Sequence, residues 1–362
     1  MVHTLQLVVN MLQKEPSIQR LVDKARHLVN HFRKSSVATE RLLQRSALTL
    51  IKDCPTRWSS TYSMLSRCLQ IKDHVTAVAA SMGWDSLQTS EWQKMGILRD
   101  LLLPFAEHTK MLESDTQSLS LVVPALLDLK NHLSEFSLAH ARSYRDAATL
   151  AQKMLSNMEK RFSIFLDVTA ANFSPLAAAA CFVDPGVSAE TLIENDTEGM
   201  QNLLRKAEDY IAHSVPRRVQ VREEQVSGDD EEPENMDTEA LAETTPAKRP
   251  RFKFFSASRP ARPKTPKTTN IKQEILKYKD GLSHQAADNT EVEESGIAFW
   301  ISQSSMVFPH LKALALDLLA MPASQAFTER VFSVTGYLSS GRRNRARAIL
   351  ERSAFLKINK SK

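Results

Sequence analysis

Apolar residues recur at three- and four-residue steps along most of this chain. Ile18, Leu21, Val22, Ala25, Leu28, Val29 and Phe32 fall on one stripe of a helix, with Arg20, Asp23, Lys24 and Arg26 on its other side. Such a stripe marks a helix packed against a core, and the first fifty residues read as helices throughout. Leu48 to Cys54 is a short apolar run closed by Pro55. A buried strand and a helix end both fit it, because periodicity does not separate the two. Thr56 suits the N-cap of a helix from Arg57 to about Ile71. Helical spacing returns near 90–112, 121–136, 146–165 and 188–213, and strand-like alternation is rare. The pattern predicts a mainly α chain.

Residues 222–270 interrupt it. From Glu223 to Glu243 there are ten acidic residues and no basic one. From Lys248 to Lys267 there are eight basic residues and no acidic one, punctuated by Pro250, Pro260, Pro263 and Pro266. So little apolar surface does not offset the entropy of ordering, and the expectation is a disordered acidic and basic linker. Helical order is expected again from Ile271. Leu311, Leu314, Ala315, Leu318 and Leu319 form one stripe that Pro322 breaks, a second helix runs through Val331 and Phe332, and a third runs from about Arg345 to Ile358. Gly336 and Gly341 are expected in the connection between the last two.

Composition narrows the function classes. The chain has 362 residues, 42% of them hydrophobic, enough for a sizeable core. The net charge of +5 is mildly basic, which is compatible with nucleic acid without requiring it. Cys54, Cys68 and Cys181 are far apart and match no zinc-ligand spacing, so no metal is expected, and free thiols suit a reducing compartment. No segment is apolar and long enough for a membrane span, and His3, Gln6 and Asn10 punctuate the first apolar stretch, unlike a secretory signal. The expectation is an intracellular, soluble chain.

Three segments resemble a known family. The C-terminal one holds Phe299-Trp300 and then FPHLKALALDLLAMPASQAFTERVFSVTGYLSSGRRNRARAILERSAFLKIN. It is similar to the C-terminal dimerisation region of hAT-superfamily transposases and of the BED-type zinc-finger proteins derived from them. Thr328 stands where the family usually has Ser, and Ala346 where Leu is common. DCPTRWSSTYSMLSRCLQIK at 53–72 resembles the family's Thr-Arg-Trp and its following helix. HTLQLVV at 3–9 resembles the stretch that follows a Cys-x-x-His pattern, whose cysteine would fall just before Met1. FVDPGV around Asp184 is a weaker likeness to a Leu-Asp-Pro step.

The resemblance implies an RNase H-like core interrupted by a helical insertion, in which two Asp and one Glu hold two metal ions for strand cleavage. Both Asp and the BED finger would precede residue 1, as if the chain began at an internal methionine of a longer reading frame. Glu329 matches the Glu, and one carboxylate does not hold a divalent pair, so it is expected to be a relic and the chain not an enzyme. The implied fold is mainly α with a small α/β part. Residues 1–75 would be a residual core segment, 76–221 the helical insertion, 222–270 the linker and 271–362 the dimerisation region. Self-association, as a homodimer or higher oligomer, would run through Leu311, Leu314, Leu318, Val331, Phe332, Phe355 and Leu356, some of which must be internal core. Lys248, Arg249, Arg251 and Lys253 resemble a nuclear localisation signal, although a solvated charge run has the same composition. Arg57, Trp58, Arg342 and Arg343 are candidates for weak, non-specific DNA contact, weighed against a packing Trp and solvated bases. No cofactor, membrane or small-molecule substrate is expected. The favoured reading is a transposase-derived nuclear protein without intact catalytic residues. The second is a fragment of a DNA-cutting transposase.

Overall fold

The computed structural model describes residues 1–54, 57–114, 118–193, 197–227, 271–287 and 295–339, together with Arg352 and residues 355–357. The fold is mainly helical. Helices α1 (Val2–Val9), α2 (Pro16–Lys34), α3 (Ser36–Ser46), α4 (Trp58–Gln70), α5 (Lys72–Ser81) and α6 (Thr89–Leu112) make the N-terminal part. Helices α7 (Val122–His140), α8 (Arg145–Leu166), α9 (Leu176–Phe182), α10 (Pro185–Ser188) and α11 (Glu198–Ser227) follow. Helices α12 (Ile271–Ala287), α13 (Gly296–Ser302), α14 (Leu311–Leu319) and α15 (Ala326–Ser339) complete it.

The stripe on α2 behaves as its spacing requires: Ile18, Leu21, Val22, Ala25, Leu28, Val29 and Phe32 are all buried. Pro16 opens this helix, where its missing N–H costs nothing, and Ser35 caps α3 through Ala38 N–H at 3.2 Å. Helix α6 starts with a reciprocal box between Gln88 and Glu91 and carries Trp92, Met95, Leu98, Leu102 and Phe105 into the core. The cap expected at Thr56 lies outside the described residues, and Arg57 takes the N-cap position of α4.

No strand forms among the described residues. Outside the helices, ladder pairing is limited to an isolated antiparallel bridge between Ser118 and Pro322. The expected α/β part therefore has no counterpart there. Leu48 to Cys54 is neither strand nor helix, and the reason is local. Its backbone groups are taken by side chains: Ser46 Oγ donates to Leu48 O at 2.9 Å, Arg67 to Thr49 O at 2.9 Å and Arg33 to Leu50 O at 3.4 Å. Two further expectations shift. Gly336 lies within α15 rather than in a connection, while Gly341 lies outside the described residues. Helix α11 continues to Ser227, past the expected start of the linker at 222, and the rest of that linker lies outside the described residues.

The C-terminal helices are seated on the second group. Trp300 is fully buried and its Nε1 donates to Val183 O at 2.6 Å. Around it stand Phe182, Tyr278, Phe299 and Phe308, with ring centroids 5.1–6.5 Å apart along the chain of contacts. Gly296 permits this seat. A Cβ there would stand 2.8 Å from Asp184 Oδ1 and 3.1 Å from a Leu319 methyl. Asp184 itself takes the Ser120 hydroxyl at 2.5 Å and Gly186 N–H at 3.2 Å. The weak Leu-Asp-Pro likeness thus falls on a residue that ties three elements together.

Candidate functional site

Four separate segments meet around a cleft of about 790 Å³. Helix α1 supplies His3 and Gln6, the start of α4 supplies Arg57, Trp58 and Ser59, the end of α6 supplies Thr109 and Glu113, and the stretch into α15 supplies residues 322–326 and Glu329. The three segments that carry the family resemblance are far apart in sequence, and the fold brings them to this one place.

Each lining side chain is held by local chemistry. The turn before α4 is clamped by Ser60. Its hydroxyl accepts from Cys54 N–H at 2.7 Å and lies 2.6 Å from Arg57 O and 2.9 Å from Cys54 O, which compete for its proton. Arg57 is exposed, whereas Trp58 is buried on the core side. Glu329 is exposed in the first turn of α15, where a carboxylate suits the helix N-terminus. It makes no salt bridge among the described residues. Burial pushes the Met1 amino group toward losing its proton, and the Glu329 charge works against that. Arg330, the neighbouring base, points instead to the Glu113 carbonyl at 3.4 Å.

Among the described residues the cleft's carboxylates are Glu113 and Glu329, and its other polar groups are amides, hydroxyls, His3 and Arg57. Among the described residues no three of His, Cys, Asp and Glu stand close enough to hold a metal ion. The arrangement can accept hydrogen bonds, donate them and present one guanidinium and one aromatic wall. Thr109 and Glu113 were not foreseen. Thr109 continues the buried stripe of α6 four residues after Phe105, and its hydroxyl is buried without a partner among the described residues. A hydroxyl on an otherwise apolar stripe was the available signal.

The residues expected to carry dimerisation divide. Leu311, Leu314 and Leu318 are buried inside the chain, at 0%, 8% and 1% exposure, and belong to its core. Val331 is half-buried. Phe332, Phe355 and Leu356 are 69%, 65% and 59% exposed. Lys248, Arg249, Arg251, Lys253, Arg342 and Arg343 lie outside the described residues. Among the described residues no helix is long and apolar enough to cross a membrane.

Both ends of the chain match known families. Residues 1–101 match the ZBED1 RNase-like helical domain, and residues 277–352 match the hAT family C-terminal dimerisation region. Human "Zinc finger BED domain-containing protein 4" is 24% identical over 370 residues. That alignment covers 99% of this chain and 28% of the relative, so the chain spans just over a quarter of the protein it matches. With matched regions at both ends and a near end-to-end alignment between them, this chain is similar to the hAT-superfamily transposases and to the zinc finger BED domain-containing proteins related to them.

Proposed function

We propose that the chain is a non-enzymatic, transposase-derived nuclear protein that pairs with a second copy of itself through its C-terminal helices. The observation that carries this reading is the exposure of Phe332 inside the matched dimerisation region, and of Phe355 and Leu356 just after it. Large apolar side chains that are mostly exposed favour association. Burying each is worth roughly 1.5–3 kcal/mol. A two-fold pairing would bring the same patch from each copy together. The non-enzymatic part draws on the cleft, where among the described residues Glu113 is the one other carboxylate beside Glu329 and a divalent pair needs more.

The experiment has two arms. Wild-type protein is expected to sediment as a dimer or larger, and the double variant Phe332→Asp, Leu356→Asp as a monomer with unchanged helical circular dichroism. A wild type that is monomeric at tens of micromolar overturns the reading. Protein with Mg²⁺ or Mn²⁺ is expected not to nick DNA. Metal-dependent nicking that is lost in Glu329→Ala overturns the non-enzymatic part.

A second reading has its own support. Glu329, His3, Arg57 and Trp58 share one cleft, as the remnants of a cutting site would in a fragment of a DNA-cutting transposase. Residues 1–101, which supply His3, Arg57 and Trp58 to that cleft, hold fourteen Lys and Arg against eight Asp and Glu and so carry a net positive charge. In either reading, DNA contact is weak, non-specific and salt-sensitive. Nuclear residence rests on the Lys248–Lys253 cluster, and replacing Lys248, Arg249 and Arg251 with Ala should move tagged protein toward the cytoplasm.

A further inference from the structure

Trp58 has two sides. One faces the cleft, and the other walls a separate recess of about 550 Å³ between α1, α2, α4 and α6. The floor of this recess is Val9, Leu65, Leu98 and Leu102, each fully buried. Its size falls in the range of small-molecule sites, roughly 300–1,000 Å³, and so does its make-up of an apolar floor with a few convergent polar groups.

The polar side decides what would fit. Arg26 Nε donates to Asp53 Oδ2 at 2.7 Å, and its Nη1 donates to Asp23 Oδ1 at 2.6 Å. The Asp53 side chain is 4% exposed and also takes the Thr61 hydroxyl at 3.1 Å. One guanidinium is therefore met by two carboxylates, and the cluster carries a surplus negative charge. An incoming anion finds its natural partner already neutralised and a like charge beside it. Arg26 lines the recess and its Nη2 makes no hydrogen bond among the described residues, which leaves a directional donor there, with the Asn10 and Gln19 amides on the same wall. A neutral oxygen acceptor satisfies that donor without adding charge.

We propose that this recess binds an uncharged small molecule with an apolar ring or chain and one carbonyl-type acceptor. The apolar part lies on the Leu65–Leu98–Leu102 floor, and the acceptor meets Arg26. Because Trp58 is common to both spaces, loading the recess is felt at the cleft wall. The proposal is independent of self-association and of any DNA chemistry.

A matched pair of probes tests it on the full chain with Leu and Val methyl groups labelled for nuclear magnetic resonance. Indole-3-carboxamide and indole-3-carboxylate share a ring and differ in charge. The carboxamide is expected to shift the methyl resonances of Val9, Leu65, Leu98 and Leu102 saturably, and the carboxylate to bind at least about ten-fold more weakly. Val22→Phe, which fills the recess, should abolish the shifts. Arg26→Lys keeps the charge opposite Asp53 but loses the Nη2 donor, and should erase the preference for the carboxamide. No saturable shift with the carboxamide overturns the site, and equal affinity for the two probes overturns its chemistry. Should Val22→Phe fail to fold, magnetisation transfer from the bound ring to the Leu98 and Leu102 methyls locates the probe instead. Transfer to methyls elsewhere overturns the proposal.

Discussion

Glu274 comes from α12 yet serves α14. Its carboxylate is 2% exposed and accepts from His310 N–H at 3.1 Å, Leu311 N–H at 2.9 Å and the His310 ring at 2.8 Å. It thus stands where a local N-cap would, since His310 makes no side-chain cap of its own. Hydrogen bonds to a charged acceptor contribute about 1.5–3 kcal/mol each, and a buried donor left unmet costs a similar amount. Glu274→Ala should therefore lower the stability in urea by about 3 kcal/mol, with Glu274→Gln recovering about half. No decrease would mean that water replaces the carboxylate. Glu91 offers a pH-dependent counterpart. The hydrogen bond from Lys24 holds its carboxyl below the ordinary range, with further help from Gln88 N–H against the opposing effect of burial. A depressed value means that its contribution is present above the unfolded pKa of about 4.3 and is lost as pH falls through the lower folded value. Thermal melts of wild type and Glu91→Gln should differ at neutral pH and converge in acid, and a difference that persists at the acid end contradicts the assignment. Neither residue was legible as a partner in the sequence. The capping box at Gln88 and Glu91 is a local motif, but the pairing of Glu274 with residue 310 spans two helices.

Helices α13, α14 and α15 divide their apolar side chains between an inside and an outside. On α13, Gly296 and Trp300 face the core while Ile297 and Ile301 are 40% and 64% exposed. On α14 the whole Leu311–Leu318 stripe faces inward. The spacing made α14 and α15 readable, though not the short α13, and did not say which apolar faces meet the same chain, because an inward stripe and an association stripe share one periodicity. The structure settles it: Trp300 bonds to Val183 O and meets Phe182 through Tyr278, and α14 packs on α9 and α11. A charge scan separates the two roles. Leu318→Asp places a carboxylate in the core and should cost several kcal/mol, with loss of helical circular dichroism. Phe332→Asp should leave the spectrum and melting temperature within a few degrees of wild type while weakening association. If both variants unfold alike, α15 is part of the core and the exposure of Phe332 is not an interface. The run from Leu48 to Cys54 shows the converse problem. Its apolar residues suit a strand, but Arg33, Arg67 and Ser46 from neighbouring helices claim the carbonyls that a strand partner would need.

The molecule is one body assembled from two lengths of chain, 1–227 and the part that resumes at Ile271. They meet through α9, α10 and α11 on one side and α12, α13 and α14 on the other, with Lys279 paired to Glu208 at 2.7 Å and Leu119 N–H bonded to Met321 O at 2.7 Å. The two lengths should consequently complement. Residues 1–227 and 271–362 expressed as separate chains are expected to co-purify, whereas 271–362 alone, with Trp300 and Tyr278 uncovered, should be insoluble or lack fixed structure. Soluble, folded 271–362 would show that its core is self-sufficient. The resemblance of the chain's ends to one family was legible from motifs such as the Thr-Arg-Trp at Trp58 and the Pro322-Ala323-Ser324 step, which fall within the matched regions. Their convergence on one cleft was not, because it depends on how α6 carries Thr109 and Glu113 between them. The Glu274 contact also sets an order of events. A helix whose opening N–H groups are met by a carboxylate some thirty-six residues earlier gains those bonds only once that earlier helix has arrived. In refolding, α14 is therefore expected to be secured late, and Glu274→Ala is expected to speed unfolding more than it slows folding, which stopped-flow measurement in urea checks.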